Sequence, residues 1–194
     1  MSKTLIGKAA LIVIDVQRDF CEGGALAAAD TLSLLKPLEK CIDEARRVGA
    51  VIVYTRDWHP DDHSSFVASG GPWPVHCVAN TRGSEFMPPL KPEEGDIIIS
   101  KGIPIDGPGY SGFDDTGLAE RLGQSGVNRI GVTGIATEYC VRATALDAAK
   151  AGFETAVLRD LVRAVQPEET PKVLSDLERA GVKNEKAEEW IREL

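Results

Sequence analysis

The chain has 194 residues, 43% of them hydrophobic and 27% charged, the balance of one globular domain with material for a single core. Its 30 Asp and Glu outnumber 22 Lys and Arg, for a net charge of -8, which excludes an extended basic surface and with it nucleic acid as a partner. No apolar run approaches the roughly 18 residues of a membrane span. The segment from Met1 to Leu11 lacks the basic region, long apolar core and small-residue cleavage site of a leader, so a cytoplasmic protein with no membrane partner is expected.

The first apolar run, residues 10–14, has strand length and no polar alternation, the pattern of a strand buried on both faces. Residues 33–48 follow with Leu34, Leu35, Leu38, Cys41, Ile42, Ala45 and Val48 on a helical stripe that Gly49 stops; Pro37 is expected in the first turn. A second strand is predicted at 51–55, then a long Gly-, Pro- and polar-rich segment, 56–95, before a third strand at 96–100. Another irregular segment, 101–114, leads to a helix at 116–122, capped by Asp115 or Thr116 and closed by Gly123. A strand at 129–133, an Ala-rich helix at 138–151, a strand at 155–159 and a helix at 168–180 complete the alternation. The charged tail, 183–194, is compatible with a last short helix. The order predicts an α/β, doubly wound, mostly parallel sheet with helices on both faces, as a single domain over residues 1–194. Irregular segments of this length in a compact domain are usually functional.

In an open parallel sheet, ligands bind beyond the carboxyl ends of the strands. Asp15 follows the first run, Asp57 and His59 the second, Lys101 the third, and Cys140 follows the fourth through Gly134-Ile135-Ala136-Thr137. One edge therefore gathers a carboxylate, an imidazole, an ammonium and a thiol. A strand-end Asp taken alone is commonly a helix cap or loop solvator; the coincidence raises Asp15 to a candidate. Cys140 is expected in the first turn of its helix, where unpaired N–H groups and the positive dipole end favour thiolate over thiol and can hold an oxyanion. The competing reading is an inert Cys on a small-residue helix. Cys21, Cys41 and Cys77 form no Cys-x-x-Cys pair with it, so free thiols are expected.

All three histidines, His59, His63 and His76, fall within 56–95. In Asp57-Trp58-His59 the first and third residues share a side in strand geometry, and His76 can return from the loop, a set suited to one divalent ion, Zn²⁺, Fe²⁺ or Mn²⁺. His63 is a fourth ligand, a hydrogen-bonding neighbour or a solvated residue, the second being favoured. The competing reading of the cluster is a polar loop. Phe20, Trp73 and Tyr110 are loop aromatics, which pin loops to a core or line a pocket for a flat ligand.

With Asp15, the Asp57/His59/His76 set, Lys101 and Cys140 in this order, the sequence resembles the isochorismatase-like cysteine hydrolases, and within them the nicotinamidase family. The segments that carry the resemblance run from Ile14 to Phe20, Thr55 to Pro60, Gly71 to Cys77, Lys101 to Gly102, Tyr110 to Phe113 and Gly134 to Val141. The resemblance implies that Cys140 is the nucleophile, Asp15 the acid/base and Lys101 their partner. It implies that Asp57, His59 and His76 hold a divalent metal, zinc foremost with Fe or Mn as alternatives, to which the pyridine nitrogen of nicotinamide binds. Phe20, Trp73 and Tyr110 would line the ring pocket, and a cis peptide between Ile135 and Ala136 would aim the Ala136 amide at the oxyanion, with the Cys140 amide as second donor. The implied activity is cleavage of nicotinamide, and of analogues such as pyrazinamide, in pyridine nucleotide salvage. Two departures stand out: Glu138 where Asp is frequent, and the stretch between Lys101 and Tyr110, with Pro104, Asp106 and Pro108 on the expected pocket rim. Rival readings are a small-amide or carbamoyl hydrolase of the same superfamily, a non-catalytic binding protein on the same fold, and a metallohydrolase with Cys140 incidental. A homo-oligomer is left open.

Overall fold

A computed structural model describes residues 8–104, 107 and 109–194; Asp106, Pro108 and most of the segment inspected for a leader lie outside the described residues. The elements are β1 (Lys8–Ile14), α1 (Thr31–Arg47), β2 (Val51–Asp57), β3 (Ile97–Lys101), α2 (Leu118–Gln124), β4 (Val127–Ile135), α3 (Arg142–Lys150), β5 (Glu154–Arg163), α4 (Thr170–Arg179), β6 (Lys183–Glu185) and α5 (Ala187–Arg192). The sheet order is β3-β2-β1-β4-β5-β6, and every neighbouring pair is parallel. The doubly wound expectation holds.

β1 shows why its sequence lacks alternation. Ala9, Leu11 and Val13 enter the core on the side of Leu34, Leu38 and Ile42 of α1, while Ala10, Ile12 and Ile14 pack with Leu118, Leu122, Ala145 and Leu177 from α2, α3 and α4 on the other side. Both faces need apolar side chains because both are covered.

The helices start away from their expected positions, α3 at Arg142 instead of 138 and α4 at Thr170 instead of 168, and for α1 and α2 the local contacts give the reason. α1 begins at Thr31, because Glu22 reaches back from the preceding loop, accepts the Leu32 N–H at 3.0 Å and pairs with the Thr31 hydroxyl. Pro37 consequently lies in the second turn, not the first, on an exposed face where the carbonyl it cannot bond meets water. α2 begins at Leu118 after Gly117, with Thr116 accepting the Leu118 N–H at 3.3 Å, and it runs through Gly123 instead of stopping there.

The tail carries a strand as well as a helix. β6 pairs with β5 from Ala156↔Lys183 onward; its three residues are polar because they sit on the sheet edge, so no apolar pattern announces them. α5 brings Trp190, fully buried, against Gly131 of β4, where an added Cβ would lie 2.8 Å from the indole. Trp190→Ala should cost about 3–5 kcal/mol and lower the melting temperature by more than about 6 °C; a thermal melt followed by circular dichroism checks it. Among the described residues no helix is long and apolar enough to cross a membrane.

Candidate active site

Strand order reverses between β1 and β4, which makes their carboxyl ends the crevice of the sheet. The two ends touch: Gly134, with φ 110°, lies so close to β1 that a Cβ there would fall 2.1 Å from the Ile14 carbonyl oxygen. Asp15 is the first residue beyond β1, in the left-handed region at φ 47°, and Asp57 and Lys101 close β2 and β3. Cys140 stands beyond β4 in a wide turn, Thr137–Val141, just ahead of α3 instead of in that helix's first turn.

These four buried residues meet around one nitrogen. Lys101 Nζ is 2.7 Å from Asp15 Oδ2, 2.6 Å from Asp57 Oδ1 and 3.3 Å from Cys140 Sγ, and it also donates to the Gly109 carbonyl at 3.2 Å. The Thr55 hydroxyl donates to Asp15 Oδ1 at 2.6 Å. Burial lifts Asp15 above the usual carboxylate range, more than Lys101 brings it down. Burial acts on Asp57 in the same sense, but Lys101 and His59 outweigh it and hold that carboxyl well below the range. Lys101 is raised well above an ordinary amine, its own burial being overcome by Asp15 and Asp57. Asp57 is thus the permanent anion and Asp15 the group whose proton can move.

Cys140 departs from the expectation of a resting thiolate. Burial pushes its thiol well above the ordinary value, and Lys101 offsets only part of that. Deprotonation therefore needs a base at hand, and Asp15, across the same ammonium, is placed to act as one.

The Asp57 carboxylate faces two ways. Its Oδ2 lies 3.5 Å from His59 Nε2 and 4.0 Å from His76 Nε2. Each ring has its other nitrogen engaged: His59 Nδ1 with the Gly102 carbonyl at 2.8 Å, His76 Nδ1 with the Pro74 carbonyl at 2.8 Å. A carbonyl can only accept, so both Nδ1 atoms carry a proton, which makes Nε2 the atom each ring, when neutral, offers to a metal. Burial keeps His76 below the ordinary imidazole value, hence neutral and ligand-competent. Asp57, His59 and His76 form a possible metal site, with one ligand atom each inside a 4.8 Å span. His63 stacks on His59 with ring centroids 4.2 Å apart, and its Nδ1 shares a hydrogen with the Ser65 hydroxyl at 2.7 Å.

Beside this polar set opens a cavity lined by Phe20, Trp73, Tyr110, Ala136 and Cys140, with Asp57, His59 and His76 at its floor. Every expected site residue borders this cavity or, as with Asp15 and Lys101, lies directly behind it. The Trp73 indole N–H donates to the Tyr110 hydroxyl at 3.2 Å, and both rings pack on Tyr139, at 5.1 and 5.6 Å between centroids. The Ile135–Ala136 peptide is cis. Sequence reasoning missed Leu26, Ser65, Tyr139 and Val165, which also line the cavity. Tyr139 had a signal, since it adjoins Cys140; Leu26 and Val165 had none, being single apolar residues in loops.

Comparison with known proteins bears on the same residues. The profile described as the isochorismatase domain matches residues 9–189. The nicotinamidase/pyrazinamidase of Mycobacterium tuberculosis is 38% identical over 179 residues, 89% of this chain and 96% of its own length. Among solved structures, the pyrazinamidase of Pyrococcus horikoshii in complex with zinc superposes with a TM-score of 0.89 at 47% identity, covering 92% of this chain and 99% of that one. PnC1 from L. infantum in complex with nicotinate gives 0.85 at 35% identity, with 94% of each chain covered. A match across nearly the whole sheet, joined to a thiol, carboxylate and ammonium in contact at its switch point, makes this chain a member of the isochorismatase family of hydrolases.

Proposed function

We propose that the protein is a cytoplasmic nicotinamidase, a single-domain cysteine amidohydrolase that converts nicotinamide to nicotinic acid and ammonia in pyridine nucleotide salvage. The observation that carries this reading is the Lys101 ammonium in contact with Asp15, Asp57 and Cys140 directly behind an aromatic-walled cavity that Asp57 and Cys140 line. The similarity to nicotinamidases and pyrazinamidases supports the substrate class, and four unpaired thiols support a reducing compartment. Incubating the purified protein with nicotinamide and measuring ammonia tests it directly; no release above the buffer rate refutes it, and faster cleavage of a non-aromatic amide or carbamoyl compound would favour the superfamily rival.

In this mechanism Asp15 takes the Cys140 proton as Sγ bonds to the carboxamide carbon, and the carbonyl electrons move to oxygen, where the Ala136 and Cys140 N–H groups donate. Asp15 returns the proton to the amide nitrogen, the C–N bond breaks and ammonia leaves. A water then adds to the thioester with Asp15 as base, the C–S bond breaks, and the proton goes back to sulfur as nicotinic acid departs. Lys101 holds both carboxylates in place throughout. Phe20, Trp73 and Tyr110 flank the ring.

Asp57, His59 and His76 fit a divalent metal, for which zinc is proposed because all three donors are borderline or hard and both imidazoles, when neutral, offer Nε2. When bound, the ion supplies a Lewis-acidic anchor for the pyridine nitrogen, and pyrazinamide offers the same ring nitrogen. His76→Ala should lower bound zinc and raise KM for nicotinamide about tenfold or more; unchanged zinc content and KM would remove the metal from the mechanism.

The raised Asp15 carboxyl sets the acid side of the pH profile. The base must be ionised to accept a proton, so kcat/KM should fall as pH drops through an apparent pKa above the ordinary carboxylate value. A profile flat down to the ordinary carboxylate range would assign the base elsewhere.

A further inference from the structure

We infer that Gln17 is the positioning residue of the metal donor set, acting through Asp57. β1 pairs with β2 up to Val13↔Tyr54, and the chain then turns away at Asp15. Asp57 is still paired to Lys101 of β3 on its other side, but its edge toward β1 has lost its strand partner. The Gln17 side chain fills that vacancy. Its Oε1 accepts the Asp57 N–H at 2.8 Å, its Nε2 donates to the Asp57 carbonyl at 2.8 Å, and the same Nε2 donates to the Ser84 carbonyl at 3.0 Å. The amide orientation follows from chemistry, because a backbone N–H requires an acceptor and the two carbonyls require donors. A primary amide is a peptide group on a tether, so Gln17 stands in for one more residue of β1.

Fixing that backbone matters because both Asp57 oxygens have separate tasks, Oδ1 against Lys101 and Oδ2 toward His59 and His76. A rotation or slide of Asp57 that served one would spoil the other. Gln17 is itself fully buried and does not line the cavity, reaching it only through the Asp57 backbone, so it is a positioning and not a catalytic residue. The inference rests on the proposal that Asp57, His59 and His76 hold a metal.

The test is zinc affinity, measured by competition with a chromophoric chelator below the melting temperature of every variant. Gln17→Met keeps the length and loses all three hydrogen bonds; its zinc affinity should fall tenfold or more, within the roughly 10–100-fold typical of groups behind a metal ligand. Trp190→Ala, destabilised where α5 packs on Gly131 and outside the cavity lining, should bind zinc within about twofold of wild type, which separates positioning from general loosening. If Gln17→Met does not fold, Gln17→Glu retains the acceptor for the Asp57 N–H and loses the donated bonds, and the same fall is expected. Wild-type affinity in the Gln17 variant, or equal weakening in Trp190→Ala, overturns the inference. His76→Ala run beside them distinguishes the two failures: if it too binds zinc normally, the metal site itself is wrong.

Discussion

Cys140→Ala is expected to release ammonia from nicotinamide at less than about 10⁻³ of the wild-type rate, with zinc content and melting temperature little changed. The change removes one sulfur from the Thr137–Val141 turn, so packing loses little, yet no other thiol lines the cavity to form the bond to the carboxamide carbon. Cys21, Cys77 and Cys41, the last on the buried face of α1, are sealed in the core, so none of them can substitute. Alkylation by iodoacetamide should inactivate the wild type in the same way, and nicotinamide should slow it. Substantial turnover in Cys140→Ala would point to metal-bound water as the attacking group and end the covalent proposal.

Lys101→Met should damage both stability and rate. Its ammonium lies between Asp15 and Asp57 with under 3 Å to each, and neither carboxylate is open to water. Removing one partner from such a buried set costs about 3–5 kcal/mol, a fall in melting temperature of roughly 6–20 °C for a chain of this size. The rate should drop by about 10²–10⁴-fold, the range of a lost acid–base arrangement. The sign of the pH effect is fixed by what Lys101 does in the wild type. It lowers both Asp15 and Cys140, so without it both rise further and the acid limb of any remaining activity moves to higher pH. A melt near the wild-type temperature, or a limb shifted downward, would contradict the proposed role.

The sequence and the structure agree where chemistry and position coincide. The apolar runs that became β1, β2, β4 and β5 are interior strands covered on both faces, the third became the edge strand β3 with Ile98 exposed, and β6 escaped notice because Lys183–Glu185 lies on the other edge, where polar residues are tolerated. Asp15, Asp57, Lys101 and Cys140 were legible because reactive residue types recur at strand ends, which in a parallel sheet all face one way. His59 and His76 were legible from clustering. What the sequence withheld depends on three-dimensional neighbours: the resting protonation of Cys140, which burial decides against the helix dipole, the role of Gln17 as a missing strand residue, and the wall supplied by Leu26 and Val165.

The strand order also has a consequence for how this molecule is made. β4 must slot against the open flank of β1, although the chain from residue 14 to residue 127 lies between them. Until it arrives, the central strand of the sheet shows a bare edge of unpaired N–H and C=O groups flanked by apolar side chains, the kind of surface that invites association with another unfinished chain. The sulfur of Cys140, the proposed nucleophile, leaves the ribosome after that insertion segment, so Asp15, Lys101 and the imidazoles are synthesised before the atom they are proposed to serve. Nascent protein is therefore at its most vulnerable to clumping during the same interval in which it is chemically inert.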